Sequence, residues 1–201
     1  YSIFDNDKPQ LINLYGPTET AIEVTYFDCS NLDYKSEDVP IGEPLDNVEA
    51  YVLNDKKQKC PIGVVGELYI GGIQVAQGYI NKEDATKKSF VRLPKISNSR
   101  LYATGDLVKW TSEGKLIFIG RSDDQVKIRG YRIELGEIEK YLKKVSQKNC
   151  LVSLQNKLSK NNKSLIAYIE SSTTIDESKI KEELKTLLPQ YMVPSHIYIV
   201  P

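Results

Sequence analysis

The sequence predicts an α+β chain in two parts: a strand-rich stretch over residues 1–122 and a small unit of strands and helices over 123–201. Three observations predict it. Between residues 39 and 120, short apolar runs alternate with turns rich in Gly, Pro, Asn and Ser. After residue 134, apolar residues recur at helical spacing, first as Ile138, Tyr141, Leu142 and Val145, then as Ile180, Leu184, Leu187 and Leu188. Between the two regimes lies Gly120 to Glu139, where cations, carboxylates and glycines crowd a segment too polar to be core. Such a crossover between folded units is where an enzyme can hinge.

In chain order, Leu11 to Leu14 reads as a short strand that runs into Tyr15-Gly16-Pro17-Thr18-Glu19-Thr20, where Gly-Pro breaks regular structure and leaves a loop at the strand end. Strands follow at Val48 to Leu53 and Gly66 to Gly71. Leu107 to Trp110 turns through Ser112-Glu113-Gly114 into Lys115 to Phe118 as a hairpin. This set predicts a small β subdomain or distorted barrel. Beyond residue 123 the pattern is a hairpin, a helix near 134–145, strands near 150–154 and 164–169, a helix near 176–188 and a last strand. Thr174 and Glu177 have the spacing of a capping box for the second helix, Pro189 stops it, and the polar stretch 156–163 reads as a loop.

Bulk composition excludes several classes. The 201 residues can bury a substantial core, and 27 Lys plus Arg balance 27 Asp plus Glu, so no overall field holds nucleic acid or a membrane surface; a local phosphate site stays open. Cys29, Cys60 and Cys150 form no paired spacing, which argues against a disulfide framework or a zinc site and for a reducing, cytoplasmic location. No apolar run reaches the roughly 20 residues of a membrane span. The chain starts Tyr1-Ser2-Ile3 and stops at Val200-Pro201, as a piece of a longer polypeptide would.

Two segments carry chemistry. Asn13 to Glu19 offers an aromatic face, a hydroxyl and a carboxylate in one rigid turn, a set that can stack a base, touch a phosphate and hold a hard cation. Tyr102-Ala103-Thr104-Gly105-Asp106-Leu107 sets an aspartate at a strand start after a glycine, and an ionised carboxylate, which only accepts hydrogen bonds, suits vicinal ribose hydroxyls. Either segment alone also fits an ordinary turn.

Together and in order, five segments strongly resemble the adenylation domains of nonribosomal peptide synthetases, within the AMP-forming acyl- and aminoacyl-activating enzymes. They are Asn13 to Glu19, Gly66 to Gly72 with Gly78-Tyr79-Ile80, Tyr102 to Leu107, Gly120 to Glu139, and Leu188-Pro189-Gln190-Tyr191-Met192-Val193-Pro194. The resemblance implies that residues 1–122 are the distal part of the large adenylation subdomain. Residues 123–201 would be the small C-terminal subdomain, with the phosphate loop and most of the amino-acid pocket upstream of Tyr1 and the catalytic lysine beyond Pro201. It implies an enzyme that uses ATP, magnesium and an amino acid, releases pyrophosphate, and hands the aminoacyl group to the phosphopantetheine of a carrier protein among neighbouring synthetase domains. The isolated segment is then not expected to turn over.

The same resemblance implies roles residue by residue. Tyr15 stacks on adenine, with Gly16 in the nucleotide-binding turn; Thr18 lies near the phosphates; Glu19 is the magnesium ligand. Asp106 clamps the ribose, and Arg121 contributes to ribose or phosphate. Leu14, Ile22 and Glu23 line the amino-acid pocket, Asp123 is the hinge, and Gly130 and Arg132 lie in the loop that approaches the phosphopantetheine arm. Three departures from the family pattern, Gln74, Gln77 and Ala103, are expected in surface turns. His196, the only histidine, and Trp110 read as structural, and Lys140, Lys143 and Lys144 as a solvated helix face. Rival readings are a D-alanine–carrier protein ligase or an acyl-CoA synthetase, and, in another class, a non-catalytic remnant that binds a partner.

Overall fold

The computed structural model of the chain describes residues 10–31, 39–128, 130–156 and 163–201, so most of the expected loop at 156–163 lies outside the described residues. Contacts divide the chain into two compact units, Tyr1–Ser122 and Asp123–Pro201.

In the first unit, β1 (Ile12–Tyr15), β2 (Thr25–Asp28) and β3 (Glu43–Pro44) form one antiparallel sheet. A second antiparallel sheet carries β4 (Val48–Leu53), β5 (Gly66–Gly72), β6 (Phe90–Arg92), β7 (Arg100–Trp110) and β8 (Leu116–Arg121), ordered β4-β5-β7-β6 with β8 also on β7. Successive strand residues face opposite sides. Leu68 and Ile70 of β5 therefore join Val24, Ile41, Val52, Val108 and Leu116 in one core, while Tyr69 joins Leu53 and Leu101 in another. Burial on both faces fits β5 as an interior strand, flanked by β4 and β7. Trp110 is half-buried and packs against the first core.

β7 differs from expectation. A strand was expected to begin at Asp106 or Leu107, whereas one strand runs through Thr104-Gly105-Asp106 from Arg100 to Trp110. Its inward face is Tyr102, Thr104, Asp106 and Val108, all buried. Two polar members hide the period-2 pattern from a reading based on hydrophobicity. Ala103 thus lies within a strand, half-buried against the Leu53–Tyr69–Leu101 core, and not in a surface turn. The short helix α1 (Glu83–Ser89) gave no apolar signal because it buries none of its residues.

The second unit begins with a hairpin of β9 (Gln125–Ile128) and β10 (Tyr131–Glu134), followed by α2 (Leu135–Ser146). β11 (Cys150–Asn156) pairs antiparallel with β12 (Lys163–Glu170), and α3 (Glu177–Leu187) crosses over to β13 (His196–Val200), parallel to β12. Ile138 and Leu142 of α2, Ile180 and Leu184 of α3, and Val152, Ala167, Ile169 and Ile197 of the strands form its core. Leu188, in extended backbone just past α3, is buried, whereas Leu187, expected on the same apolar face, is 39 % exposed in the last turn. His196 is exposed on the sheet, beside Tyr198.

The cap of α3 also differs from expectation. Asp176, not Thr174, caps it: one carboxylate oxygen accepts from Ser178 N at 3.0 Å and Lys179 N at 3.2 Å. Aspartate stands closer to the first turn and adds negative charge at the positive helix end. Asp176→Ala is expected to destabilise the second unit by about 1 kcal/mol, and Thr174→Ala by less than about 0.5 kcal/mol. Urea unfolding of the two variants, followed by helical circular dichroism, checks the order.

Candidate functional site

β1 and β2 pair with Tyr15 opposite Thr25, so residues 16–24 form a loop over the strand ends, tied at its base by Val24 N donating to Tyr15 O at 2.8 Å. The loop closes tightly enough to require glycine at its start: a Cβ on Gly16 would lie 2.0 Å from the carbonyl oxygen of Ile22. After Pro17, Thr18–Thr20 makes one 3-10 turn, with Thr20 N and Oγ1 both donating to Pro17 O at 3.0 Å. Ala21 (φ 55°) and Ile22 (φ 80°) then both enter the left-handed region. For a β-branched residue this is rare and costs on the order of 1–3 kcal/mol, so surrounding contacts must hold it.

Those contacts come from the segment after β5. Ala76 N donates to Glu19 O at 2.9 Å, and the Tyr79 hydroxyl donates to Glu19 Oε1 at 2.7 Å. Glu19 is buried, a hard oxygen donor seated on a neutral phenol. Among the described residues no three His, Cys, Asp or Glu side chains gather as a metal cluster. A carboxylate oxygen of this kind is a ligand type that magnesium accepts. Thr18 is exposed on the same turn, Leu14 is 50 % and Ile22 74 % exposed, and Glu23 is half-buried.

A second group gathers at the base of the loop. β7 and β8 set Asp106 opposite Arg121. Arg121 Nη1 donates to Asp106 Oδ1 at 2.9 Å and to Thr104 O at 2.8 Å, while the Tyr15 hydroxyl donates to Asp106 Oδ2. The ion pair is largely desolvated, with side-chain exposures of 19 % for Arg121 and 11 % for Asp106. Removing one partner of such a pair costs roughly 3–5 kcal/mol, because the other charge is stranded.

Backbone geometry fixes the carboxylate further. Gly105 (φ 71°) lets the strand turn the aspartate inward, and its N–H donates to Glu67 Oε1 at 3.2 Å. Asp106 N donates to Thr104 Oγ1 at 3.0 Å, and Thr104 Oγ1 donates to Leu68 O at 2.8 Å. A carboxylate has about four acceptor positions, so two hydrogen bonds from Tyr15 and Arg121 leave capacity for hydroxyl donors. Burial first, then the Asp106 charge and the hydrogen bond to it, push the Tyr15 phenol far above its ordinary range. Tyr15 is therefore a permanent donor, and its ring packs against the core around Val24.

Tyr15, Asp106 and Arg121 are thus in direct contact, and Gly16, Thr18, Glu19, Ile22 and Glu23 lie on the loop that Tyr15 opens. The remaining candidates belong to the second unit. Asp123 is exposed, with Oδ1 accepting from Gln125 N at 3.2 Å; Gly130 (φ 84°) forms the turn of the β9–β10 hairpin; Arg132 is exposed and pairs with Lys127 across it. Sequence reasoning missed Glu67, Gln74, Tyr79 and Arg100. Gln74 is no free surface residue: with its amide nitrogen turned to the loop it donates to Glu23 O at 2.8 Å and Thr20 O at 3.3 Å. Gln77 is exposed, and its carbonyl accepts from Arg100 Nη1 at 2.7 Å. None of these partnerships has a fixed sequence spacing that could reveal it.

Residues 1–80 match the family model described as AMP-binding enzyme. Tyrocidine synthase 3 of Brevibacillus parabrevis is 44% identical over 192 residues, which are 96% of this chain and 3% of that protein. Bacitracin synthase 1 of Bacillus licheniformis is 40% identical over 195 residues, 97% of this chain and 4% of its own length. Among solved structures, a Vibrio cholerae adenylation domain in complex with glycyl-adenosine-5'-phosphate aligns at TM-score 0.84 and 30% identity, over 95% of this chain and 37% of that one. A nonribosomal peptide synthetase protein containing adenylation and PCP domains aligns at TM-score 0.78 and 29% identity, over 95% of this chain and 38% of its own. The chain therefore spans a small part of each relative.

The raised pKa of Tyr15 has a pH consequence with a definite sign. The folded-state value lies above the unfolded value of about 10, so the stabilisation is complete below about pH 10 and is lost as pH rises beyond it. Urea unfolding between pH 9 and 11 should show stability falling with pH, and Tyr15→Phe should flatten that fall by up to about 1.4 kcal/mol per pH unit. Equal slopes would contradict the assignment.

Proposed function

This chain belongs to the adenylation domains of nonribosomal peptide synthetases, within the AMP-binding enzymes, and on that premise we propose that it is part of an enzyme that activates an amino acid with ATP. The product would be aminoacyl-AMP plus pyrophosphate, and the aminoacyl group would pass to the phosphopantetheine thiol of a carrier domain. The single observation that carries this reading is the buried Tyr15–Asp106–Arg121 contact at the root of the loop bearing Glu19. Sequence similarity to the synthases and to an adenylation domain holding a glycyl adenylate supports it.

Asp106 would accept both ribose hydroxyls, with Arg121 and Tyr15 holding the carboxylate still. The Tyr15 ring, fixed by its hydroxyl and by the core, would offer its remaining face to adenine. Thr18 would donate to phosphate. Glu19 suits magnesium, which when bound would neutralise phosphate charge. An amino-acid carboxylate is ionised near neutral pH, so its attack on the α-phosphorus needs no base. One carboxylate oxygen bonds to phosphorus and pyrophosphate leaves with the electron pair of the broken P–O bond. Catalysis then rests on orientation and fixed charges, the usual dominant contribution. Leu14, Ile22 and Glu23 would form one edge of the amino-acid pocket.

In the second half-reaction the carrier thiol attacks the acyl carbon and AMP departs. Gly130 and Arg132 on the β9–β10 hairpin would approach the phosphopantetheine arm, and Asp123 would be the hinge that exchanges the two chemistries. Supporting the hinge is the division of the chain into compact units between Ser122 and Asp123.

The test is a pyrophosphate-exchange screen of the intact parent protein across amino acids and simple carboxylic acids. Exchange driven by one or a few amino acids is expected. Exchange with fatty or aryl acids alone would favour an acyl-CoA synthetase, and no exchange a non-catalytic remnant. In the active parent, Asp106→Asn should raise the KM for ATP about tenfold or more, since a hydrogen bond to a charged group contributes roughly 1.5–3 kcal/mol. An unchanged KM would remove the ribose role.

A further inference from the structure

The segment from Gly72 to Tyr79 touches the loop 16–24 at four points. With its amide nitrogen turned toward the loop, as two facing carbonyls require, Gln74 donates to the carbonyls of Thr20 and Glu23; Ala76 N donates to Glu19 O, and Tyr79 OH to the Glu19 carboxylate. These contacts bracket Ala21 and Ile22, the two left-handed residues. The segment is itself anchored. Arg100 of β7 donates Nη1 to Gln77 O at 2.7 Å and Nη2 to Ala76 O, and its guanidinium lies 5.1 Å from the centre of the Phe90 ring. Tyr79 packs edge-on to Phe90 at 5.4 Å and takes a backbone hold from Thr86, whose Oγ1 accepts from Tyr79 N at 2.9 Å.

We infer that residues 74–79 are a positioning strap, with Gln74 setting the Ile22–Glu23 edge and Tyr79 setting the Glu19 carboxylate; the inference rests on the adenylation reading for what the loop then binds. Two physical points carry it. A left-handed Ile22 at 74 % exposure gains little from its own side chain, so backbone clamps must offset its strain. The two carbonyls that Gln74 holds flank the strained pair. The Tyr79 hydroxyl donating to Glu19 Oε1 also orients the carboxylate, and a neutral hydroxyl does so without bringing a charge of its own. Outer partners of this kind typically change metal affinity or activity 10–100-fold when removed.

Gln74→Met keeps side-chain length and removes the donor; Tyr79→Phe keeps the ring packing and removes the hydroxyl. The first readout, on the intact parent without ligand, is amide hydrogen exchange. Gln74→Met should lower protection of the Glu23 and Val24 amides at least about tenfold, leaving β5 and β7 unchanged; unchanged loop protection overturns the strap whatever the protein catalyses. The second readout is kinetic. Tyr79→Phe should raise the magnesium concentration that half-saturates pyrophosphate exchange about tenfold with the amino-acid KM nearly constant, and Gln74→Met should do the reverse. Loosened amides with both parameters unmoved would reduce the strap to a structural tie and overturn the positioning role. A parent inert with every amino acid would instead refute the adenylation reading, and the exchange result would still decide the clamp.

Discussion

The buried ion pair between Asp106 and Arg121 is the constraint on which the rest of the first unit depends. Two charges held at 2.9 Å with little solvent are tolerable only with further hydrogen bonds around them. Tyr15 supplies one from β1, Thr104 supplies its carbonyl to Arg121 and its hydroxyl to the Asp106 amide, and Glu67 takes the neighbouring Gly105 amide. The pair thereby joins the two sheets of this unit. It also places the residue before the glycine-started loop, so the seat of Asp106 and the root of the Glu19 loop are one piece of structure.

From that root the loop is held by geometry that its own sequence does not favour. Gly16 permits the close return of Ile22 and Glu23, and the left-handed Ala21–Ile22 pair stores strain. Strain persists where neighbours over-determine the conformation, and here the neighbours are Gln74, Ala76 and Tyr79 from a segment more than 50 residues downstream. On the proposed reading, a fixed Glu19 carboxylate and a fixed Ile22–Glu23 backbone would serve catalysis by orientation, which loses most when a group can wander.

What was legible in the sequence follows from the same physics. Helices with a continuous apolar face were readable, since Ile138, Leu142, Ile180 and Leu184 are spaced by the helix repeat and are buried. The α+β class followed from them and from the short strands. β7 was misjudged at its start because its inward face alternates through Thr104 and Asp106, polar residues buried only because β1, β5 and β8 supply their partners. The α3 cap was assigned to Thr174 by motif spacing, although Asp176 stands nearer the first free amides. At the candidate site, the residue types in Asn13 to Glu19 and Tyr102 to Leu107 announced carboxylate, hydroxyl and aromatic chemistry. The contacts from Tyr79 and Gln74 were invisible, because a link made across 51 to 60 residues leaves no local pattern.

On the proposed reading, Tyr15, Asp106 and Arg121 together hold the ribose of one adenine nucleotide. The most direct measurement of that hold is the affinity of the intact protein for AMP against the 2'-deoxy and 3'-deoxy analogues, in the parent and in Asp106→Asn. Each missing hydroxyl should weaken binding about tenfold or more in the parent and far less in the variant, as expected for hydrogen bonds to a charged acceptor. Equal affinity for all three nucleotides in the parent would contradict it.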